Sequence, residues 1–275
     1  MTFSAPAKIN LSLEVLHRRD DGFHELQTLV LPLPGLADQL TFAASSNYSL
    51  SCDTPGVPLD ESNLVSRAVR LFEEATGQAV RFRINLEKRI PHGAGLGGGS
   101  SDAATTLLAL NTLTEASLSL EDLAQLAASL GSDIPLFLHG KPAWCRGRGE
   151  KIQTLDLPFN HPLVLFKPSF NVSTPWAYQQ WQTSRKIPGI SYDPQPLGDL
   201  SLFNDLERPV FQKYLFLAQL KQDLIEHPAT SAALMSGSGS TVFAVMAPHQ
   251  DPHAFAEEMK QRHDPTLWTH VETSS

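Results

Sequence analysis

The segment PHGAGLGGGSSDAATTLLALN, residues 91–111, constrains this chain more than any other. Five glycines fall within Gly93–Gly99, two serines follow, and a run of good helix formers comes next. Glycine loses more backbone freedom on folding than any other residue, so a cluster this dense needs a compensating use. A bare loop that opens a helix has one. Its N–H groups and the helix's N-terminal partial charge converge on an anion. Pro91, His92, Gly93, Ala94, Gly95, Leu96, Gly97, Gly98, Gly99, Ser100 and Ser101 form the candidate cradle, with the serines adding hydroxyl donors. A Walker-type loop ends in GK[ST], and this one ends in GGSS, so that reading fails. The G-x-G-x-x-G spacing of a dinucleotide fingerprint is met at Gly93–Gly98. Its context is not, because the element after the helix is a second helix rather than a strand carrying an acidic ribose ligand. A flexible, serine-capped loop is the plain alternative.

Periodicity organises the rest. Ile9, Leu11, Leu13 and Val15 alternate, which predicts a half-buried strand over residues 8–16. RRDDGFHE reads as a turn, and Leu26–Leu33 as the returning strand, ended or placed at an edge by Pro32. Helical spacing predicts a helix over 63–76, stopped by Gly77. Val80–Leu86 reads as a strand, Ser101–Asn111 as a helix, and Ser119 opens a second helix with a capping box, stopped by Gly131. The stretch 155–200 is rich in proline and aromatics and reads as loops around HPLVLFKPSF and TPWAYQQW. One helix is predicted near Val210–Ile225, and MSGSGSTVFAV is a second Gly/Ser cluster running into a strand.

Composition narrows the function classes. A length of 275 residues suits one large domain or two ordinary ones. The net charge of −8 weighs against nucleic-acid and anionic-membrane partners, while leaving room for a locally positive anion site. Cys52 and Cys145 make neither a disulfide framework nor a metal-spaced cluster, and the ten histidines show no HExxH pattern, so no structural metal site is expected. Lys8 comes too early for a signal-peptide core, and Pro32 and Pro34 break the apolar stretch at Leu29–Ala37. These features predict a soluble, cytoplasmic protein.

Seven stretches in order resemble the GHMP kinases, the family of galactokinase, homoserine kinase, mevalonate kinase and phosphomevalonate kinase. They are APAKINLSLEV, RRDDGFHEL, SNLVSRA, the GLGGGSSDAA loop, GSDIPLFL, GRGE and SGSGSTVFA. The extra glycines of the loop resemble the branch that phosphorylates diphosphocytidyl-methylerythritol in non-mevalonate isoprenoid biosynthesis. The resemblance implies an α+β, two-domain GHMP kinase fold. Residues 1–155 would form a domain like domain 2 of ribosomal protein S5, and 156–275 a ferredoxin-like domain. It also implies ATP as co-substrate, accompanied by Mg2+, for which Ser101 is only a candidate ligand and no ligand set is assigned.

Roles follow from the resemblance residue by residue. Lys8 and Asp133 resemble the catalytic pair; a solvated edge lysine and a helix-capping aspartate are the plain alternatives. Asn63 and Lys88 resemble adenine-pocket positions. Phe23 resembles the ring that stacks on cytosine, at a place where the family usually has tyrosine, and His24 the group that hydrogen-bonds its edge. Asn10, Thr174, Tyr178, Gly237 and Ser238 resemble further acceptor contacts, Tyr178 as the second stacking ring. A sibling kinase acting on another small alcohol, and a non-catalytic nucleotide- or RNA-binding module, stay open as alternatives.

Overall fold

The alternating residues Ile9, Leu11, Leu13 and Val15 are all buried. In the computed structural model, which describes residues 1–273, they lie on β1 (Thr2–Arg18). A turn at Asp20–Gly22 returns the chain as β2 (His24–Ala44). The predicted strand Leu26–Leu33 therefore runs on through Pro32 and Pro34. Leu33, Leu36, Ala37 and Leu40 are buried beyond the first proline, and that apolar face carries the strand past residues that cannot donate a ladder bond.

The chain then forms β3 (Ser49–Cys52), α1 (Leu64–Thr76), β4 (Phe82–Glu87), α2 (Gly98–Leu113) and α3 (Leu120–Leu130). A short 3-10 turn at Pro135–Leu138, β5 (Ala143–Gly147) and β6 (Lys151–Thr154) follow. Local chemistry sets several of these ends. Asn63 caps α1, and Gly77 ends it in the left-handed region at φ 68°. Ser119 and Asp122 close a reciprocal capping box on α3. The helix predicted over Ser101–Asn111 begins earlier, at Gly98, because Gly97 adopts a positive φ and turns the chain into it.

Two compact units result. The first holds residues 1–8, 32–91 and 97–154; the second holds 9–31, 92–96 and the chain from Leu155 onward. The chain thus passes between units five times, where the sequence expectation of 1–155 and 156–275 has one passage. β1 and β2 supply residues to both units. In the first, β4 pairs antiparallel with β2 and parallel with β3, and α1, α2 and α3 pack on one another, with Val65, Ala68, Ala103, Ala104, Leu107 and Leu123 among their buried residues.

The second unit adds β7 (Leu163–Lys167), α4 (Thr174–Gln180), β8 (Gln195–Leu197), β9 (Leu200–Asn204), α5 (Glu207–Lys213) and α6 (Leu215–Glu226). It ends with β10 (Thr230–Met235), β11 (Val242–Met246), α7 (Pro252–His263) and β12 (Trp268–Glu272). An antiparallel sheet runs β10-β11-β7-β12, with α6 against β10 and β11, and α7 against β7 and β12. Ser12 and Leu13 of β1 pair in parallel with β9.

Three expectations are corrected here, the first being that TPWAYQQW is no loop but the helix α4 followed by a 3-10 turn at Trp181–Thr183. HPLVLFKPSF is no loop: Leu163–Lys167 is an inner strand with all five residues buried. A short apolar run bounded by prolines is the pattern of a fully buried strand. The single helix predicted over Val210–Ile225 is two, because Tyr214 leaves helical geometry at φ −115°, ψ 73°. No helix among the described residues is long and apolar enough to cross a membrane.

Candidate active site

In the first unit the glycine segment becomes the start of α2. Gly97 sits at φ 73°, and a Cβ there would meet the Phe137 ring at 2.6 Å and the Lys8 stem at 3.2 Å. Only glycine meets both demands. The helix opens with no side-chain cap and no acidic residue in its first turn. Its first N–H groups keep their partial positive charge for whatever lies ahead of them. Ser101 is fully buried, and its Oγ has no hydrogen-bond partner among the described residues. An uncapped helix start with an orphaned hydroxyl fits phosphate oxygens. Ser100 Oγ donates to Asp133 Oδ1 at 3.0 Å. Asp133 does not cap the turn it precedes: the capping position is Ile134, without a side-chain bond.

Lys8 is no solvated edge charge. It is 9% exposed, and burial lowers its ammonium from the ordinary 10.5 to about 8, against the raising pull of Asp133. Burial in turn pushes the Cys145 thiol up to about 12, so it stays neutral beside the lysine.

Lys88 is committed rather than solvated. Its Nζ donates to Asp102 Oδ2 at 2.7 Å and to Asp38 Oδ2. Asp38 Oδ1 also accepts from the backbone of Arg89 and Ile90, which fixes the chain entering the glycine loop. One ammonium thus serves two buried carboxylates. The Asp102 carboxyl is accordingly raised, by burial first, with Lys88 opposing and Asp38 adding. Sequence reading missed both aspartates. Asp102 could have been noticed, since it directly follows the two serines; Asp38 is 50 residues from Lys88 and carries no local signal. Asn63 is committed too: its Oδ1 accepts from Val65 N at 2.9 Å and its Nδ2 donates to the Pro58 carbonyl at 2.7 Å.

The second unit holds the other half of the glycine segment. Gly95 lies against the backbone carbonyl of Ser236, where any Cβ would collide. Thr241 N donates to the Ala94 carbonyl at 3.1 Å and Ser236 Oγ to that of Gly95 at 3.0 Å. The SGSG turn therefore clamps the loop. Asn204 Nδ2 donates to the carbonyls of Met235 and Gly237, both at 2.7 Å, and Thr174 and Ser238 share a hydroxyl pair at 2.7 Å.

An aromatic group lies in the same unit. His24 stacks on Tyr178 with centroids 5.4 Å apart and meets the edge of Trp181 at 6.1 Å. Burial, followed by the charge of Arg18, lowers the His24 pKa and favours the neutral imidazole. Trp181 was missed by the sequence reading, although it lies one helical turn beyond Tyr178. Phe23 stands 53% exposed on a turn that is well built. Its N–H donates to Asp21 Oδ1, and Arg19 holds Asp21 at 3.1 Å and Glu25 at 2.6 Å.

An uncapped helix start with a buried lysine and an aspartate nearby suits a small-molecule kinase. The chain belongs to the GHMP kinases: the family model for their N-terminal domain matches residues 63–141 and that for their C-terminal domain residues 192–265. Within them it belongs to the 4-diphosphocytidyl-2-C-methyl-D-erythritol kinases. The enzyme of that name from Methylacidiphilum infernorum is 44% identical over 94% of this chain and 90% of the relative. The chloroplastic/chromoplastic enzyme of Solanum lycopersicum is 38% identical over 96% of this chain and 68% of its own length. A crystal structure of 4-(cytidine 5'-diphospho)-2C-methyl-D-erythritol kinase superposes with a TM-score of 0.80 at 38% identity, covering 100% of both chains. A mevalonate kinase structure, at 11% identity and a TM-score of 0.69 over 98% of both chains, shares the fold alone.

Proposed function

We propose that this kinase transfers the γ-phosphoryl group of ATP to the 2-hydroxyl of 4-diphosphocytidyl-2-C-methyl-D-erythritol, using Lys8 and Asp133 at the acceptor hydroxyl. The observation that carries the reading is the buried Lys8 ammonium beside Asp133, whose carboxylate Ser100 ties to the first turn of α2. Phosphoryl transfer needs positioning and charge neutralisation more than covalent help from the protein. The hydroxyl oxygen bonds to the γ-phosphorus as the bridging bond to the β-phosphate oxygen breaks. Asp133 takes the hydroxyl proton, and Lys8 offsets negative charge on the transferring group. The first turn of α2, from Gly97 through Ser101, receives phosphate oxygens, and the nucleoside lies on the side of Asn63 and Lys88. Mg2+, carried in with ATP, would find the Ser101 hydroxyl as its protein oxygen and would screen phosphate charge there.

A separate set of residues reads the acceptor. Phe23 and Tyr178 offer ring faces to cytosine, and neutral His24 offers one donor and one acceptor to its edge, as proteins commonly read an unpaired base. Asn10, Thr174, Gly237 and Ser238 serve the remainder of the acceptor.

ATP consumption over a panel of alcohols tests the acceptor. Turnover is expected with the diphosphocytidyl substrate and little with mevalonate, homoserine or galactose. In Phe23→Ala the acceptor KM should rise about 10- to 100-fold, the worth of one base–aromatic stack, with the KM for ATP unchanged. Equal turnover of mevalonate, or a loss confined to ATP, would sink the reading.

Lys8 also sets a pH limit. With its pKa lowered to about 8, it is charged below that value and neutral above it. The kcat should therefore fall as pH rises through about 8, and a profile flat to pH 10 would remove its charge from the reaction. Stability responds in the opposite sense. Between about 8 and 10.5 the folded chain binds fewer protons at Lys8 than the unfolded chain, so this group's contribution rises with pH across that window.

A further inference from the structure

Lys167 closes β7 and is 7% exposed, yet no carboxylate of the described residues pairs with it. Its three N–H groups go to neutral oxygens instead. Nζ donates to the carbonyls of Pro168 at 2.8 Å and Phe170 at 3.1 Å, and to Asn171 Oδ1 at 2.8 Å. An ammonium only donates, so the Asn171 atom facing it is the oxygen, and Nδ2 is turned away from Lys167. Nδ2 has no acceptor among the described residues, and Asn171 is exposed. Gly93 marks where the amide rests. A Cβ on Gly93, at φ 63°, would meet Asn171 Cγ at 2.7 Å and Nδ2 at 2.9 Å. Gly93 and its neighbour His92 are exposed too, and all three residues belong to the second unit. The amide therefore lies on the bare Cα of the glycine segment, on a face open to solvent. A buried cation drawing on Oδ1 leaves the Nδ2 protons more positive. Two such protons beside an exposed stretch of backbone suit a group that only accepts, such as a phosphate oxygen.

We infer that Asn171 is a phosphate-binding residue at the Gly93 end of the glycine segment, with Lys167 as the positioning residue that turns its amide donor outward. The inference rests on the reading of that segment as a phosphate cradle. The phosphate oxygen belongs either to the tail of ATP or to the diphosphate of the acceptor, and separate measurements on the two substrates tell them apart. Asn171→Ala removes the donor. Asn171→Asp is the sharper change: one carboxylate oxygen still accepts from Lys167, now as an ion pair, while the other sets negative charge where Nδ2 stood.

The test measures KM for ATP and for the diphosphocytidyl acceptor, Kd for ADP and for CDP, and thermal unfolding. Asn171→Ala should raise the KM of one substrate about tenfold and weaken the matching diphosphate, ADP or CDP, to the same degree. Asn171→Asp should unfold at or above the wild-type temperature, yet weaken the same ligand about 100-fold. A role in packing on Gly93 predicts the reverse, a harmless aspartate and a loss of stability in the alanine variant. Lys167→Met should weaken the same ligand, and adding Asn171→Ala to it should cost nothing more, because both remove one contact. Should Lys167→Met not fold, the two Asn171 variants decide the matter alone. Gly99→Val serves as the control at the other end of the cradle, where a Cβ would meet only Leu64 at 3.7 Å. Unchanged affinities in Asn171→Asp beside weakened ATP in Gly99→Val would overturn the inference and leave the cradle standing. Unchanged affinities in both would overturn the cradle and the inference with it.

Discussion

Asp133→Asn should fold, bind both substrates and turn over about 10²–10⁴-fold more slowly, the usual range for a lost general base. Asparagine is nearly the same size, and its carbonyl oxygen can still accept the Ser100 hydroxyl that holds Asp133 at 3.0 Å. What it cannot do is take a proton. A structural role for the aspartate predicts the opposite, and the geometry already counts against one, because the turn at Pro135–Leu138 is headed by Ile134 without a side-chain cap. Lys8→Ala should slow turnover as well. If the two groups work on the same proton and charge, the double variant should be far less impaired than the product of the single losses. Single-turnover rates and thermal unfolding of the three variants decide it. Near-wild-type turnover in Asp133→Asn would leave phosphate positioning as the source of the rate.

Lys88→Met should be the most destabilising single change in the first unit. It strips the shared counter-charge from Asp38 and Asp102, whose side chains are 0% and 4% exposed. Removing one partner of a buried ionic group typically costs about 3–5 kcal/mol, since the remaining charge is left uncompensated. The deficit should shrink in acid. Burial already holds the Asp102 carboxyl above its ordinary value with Lys88 opposing, and losing Lys88 raises it further. Folding then favours its protonated form, and the loss grows as pH climbs from the unfolded value towards the folded one. Urea unfolding at pH 5 and pH 8 measures both effects. A cost under about 1 kcal/mol would mean that the pair is open to water and behaves as a surface bridge.

Features set by neighbouring residues were open to sequence reading. The alternation at Ile9–Val15, the Asn63 and Gly77 ends of α1 and the Ser119 box each need only a few adjacent positions, and each stands where the pattern put it. The catalytic placement of Lys8 and Asp133 came from resemblance, since nothing near Lys8 in the chain says that it will be buried. Distance along the chain was the main obstacle elsewhere. Asp38 reaches Lys88 only through the pairing of β2 with β4. Two prolines masked the length of β2, and prolines on either side of Leu163–Lys167 made an inner strand look like a loop. Glycine carried a double meaning. At Gly95 and Gly97 the protein's own backbone, ring and lysine stem forbid a side chain, so part of that density serves packing. At Gly99 a Cβ would make only an ordinary contact with Leu64 at 3.7 Å, and there the absence of a side chain answers no demand of the fold.

The uncapped start of α2 has a thermodynamic corollary. A helix whose first donors are left to an outside anion is finished by its ligand, and whatever binds the native state alone adds RT ln(1 + [L]/Kd) to its stability. The melting temperature of this protein is therefore a gauge of nucleotide occupancy. With the first turn of α2 as the proposed phosphate cradle, ATP and ADP should raise the melting temperature more than adenosine does.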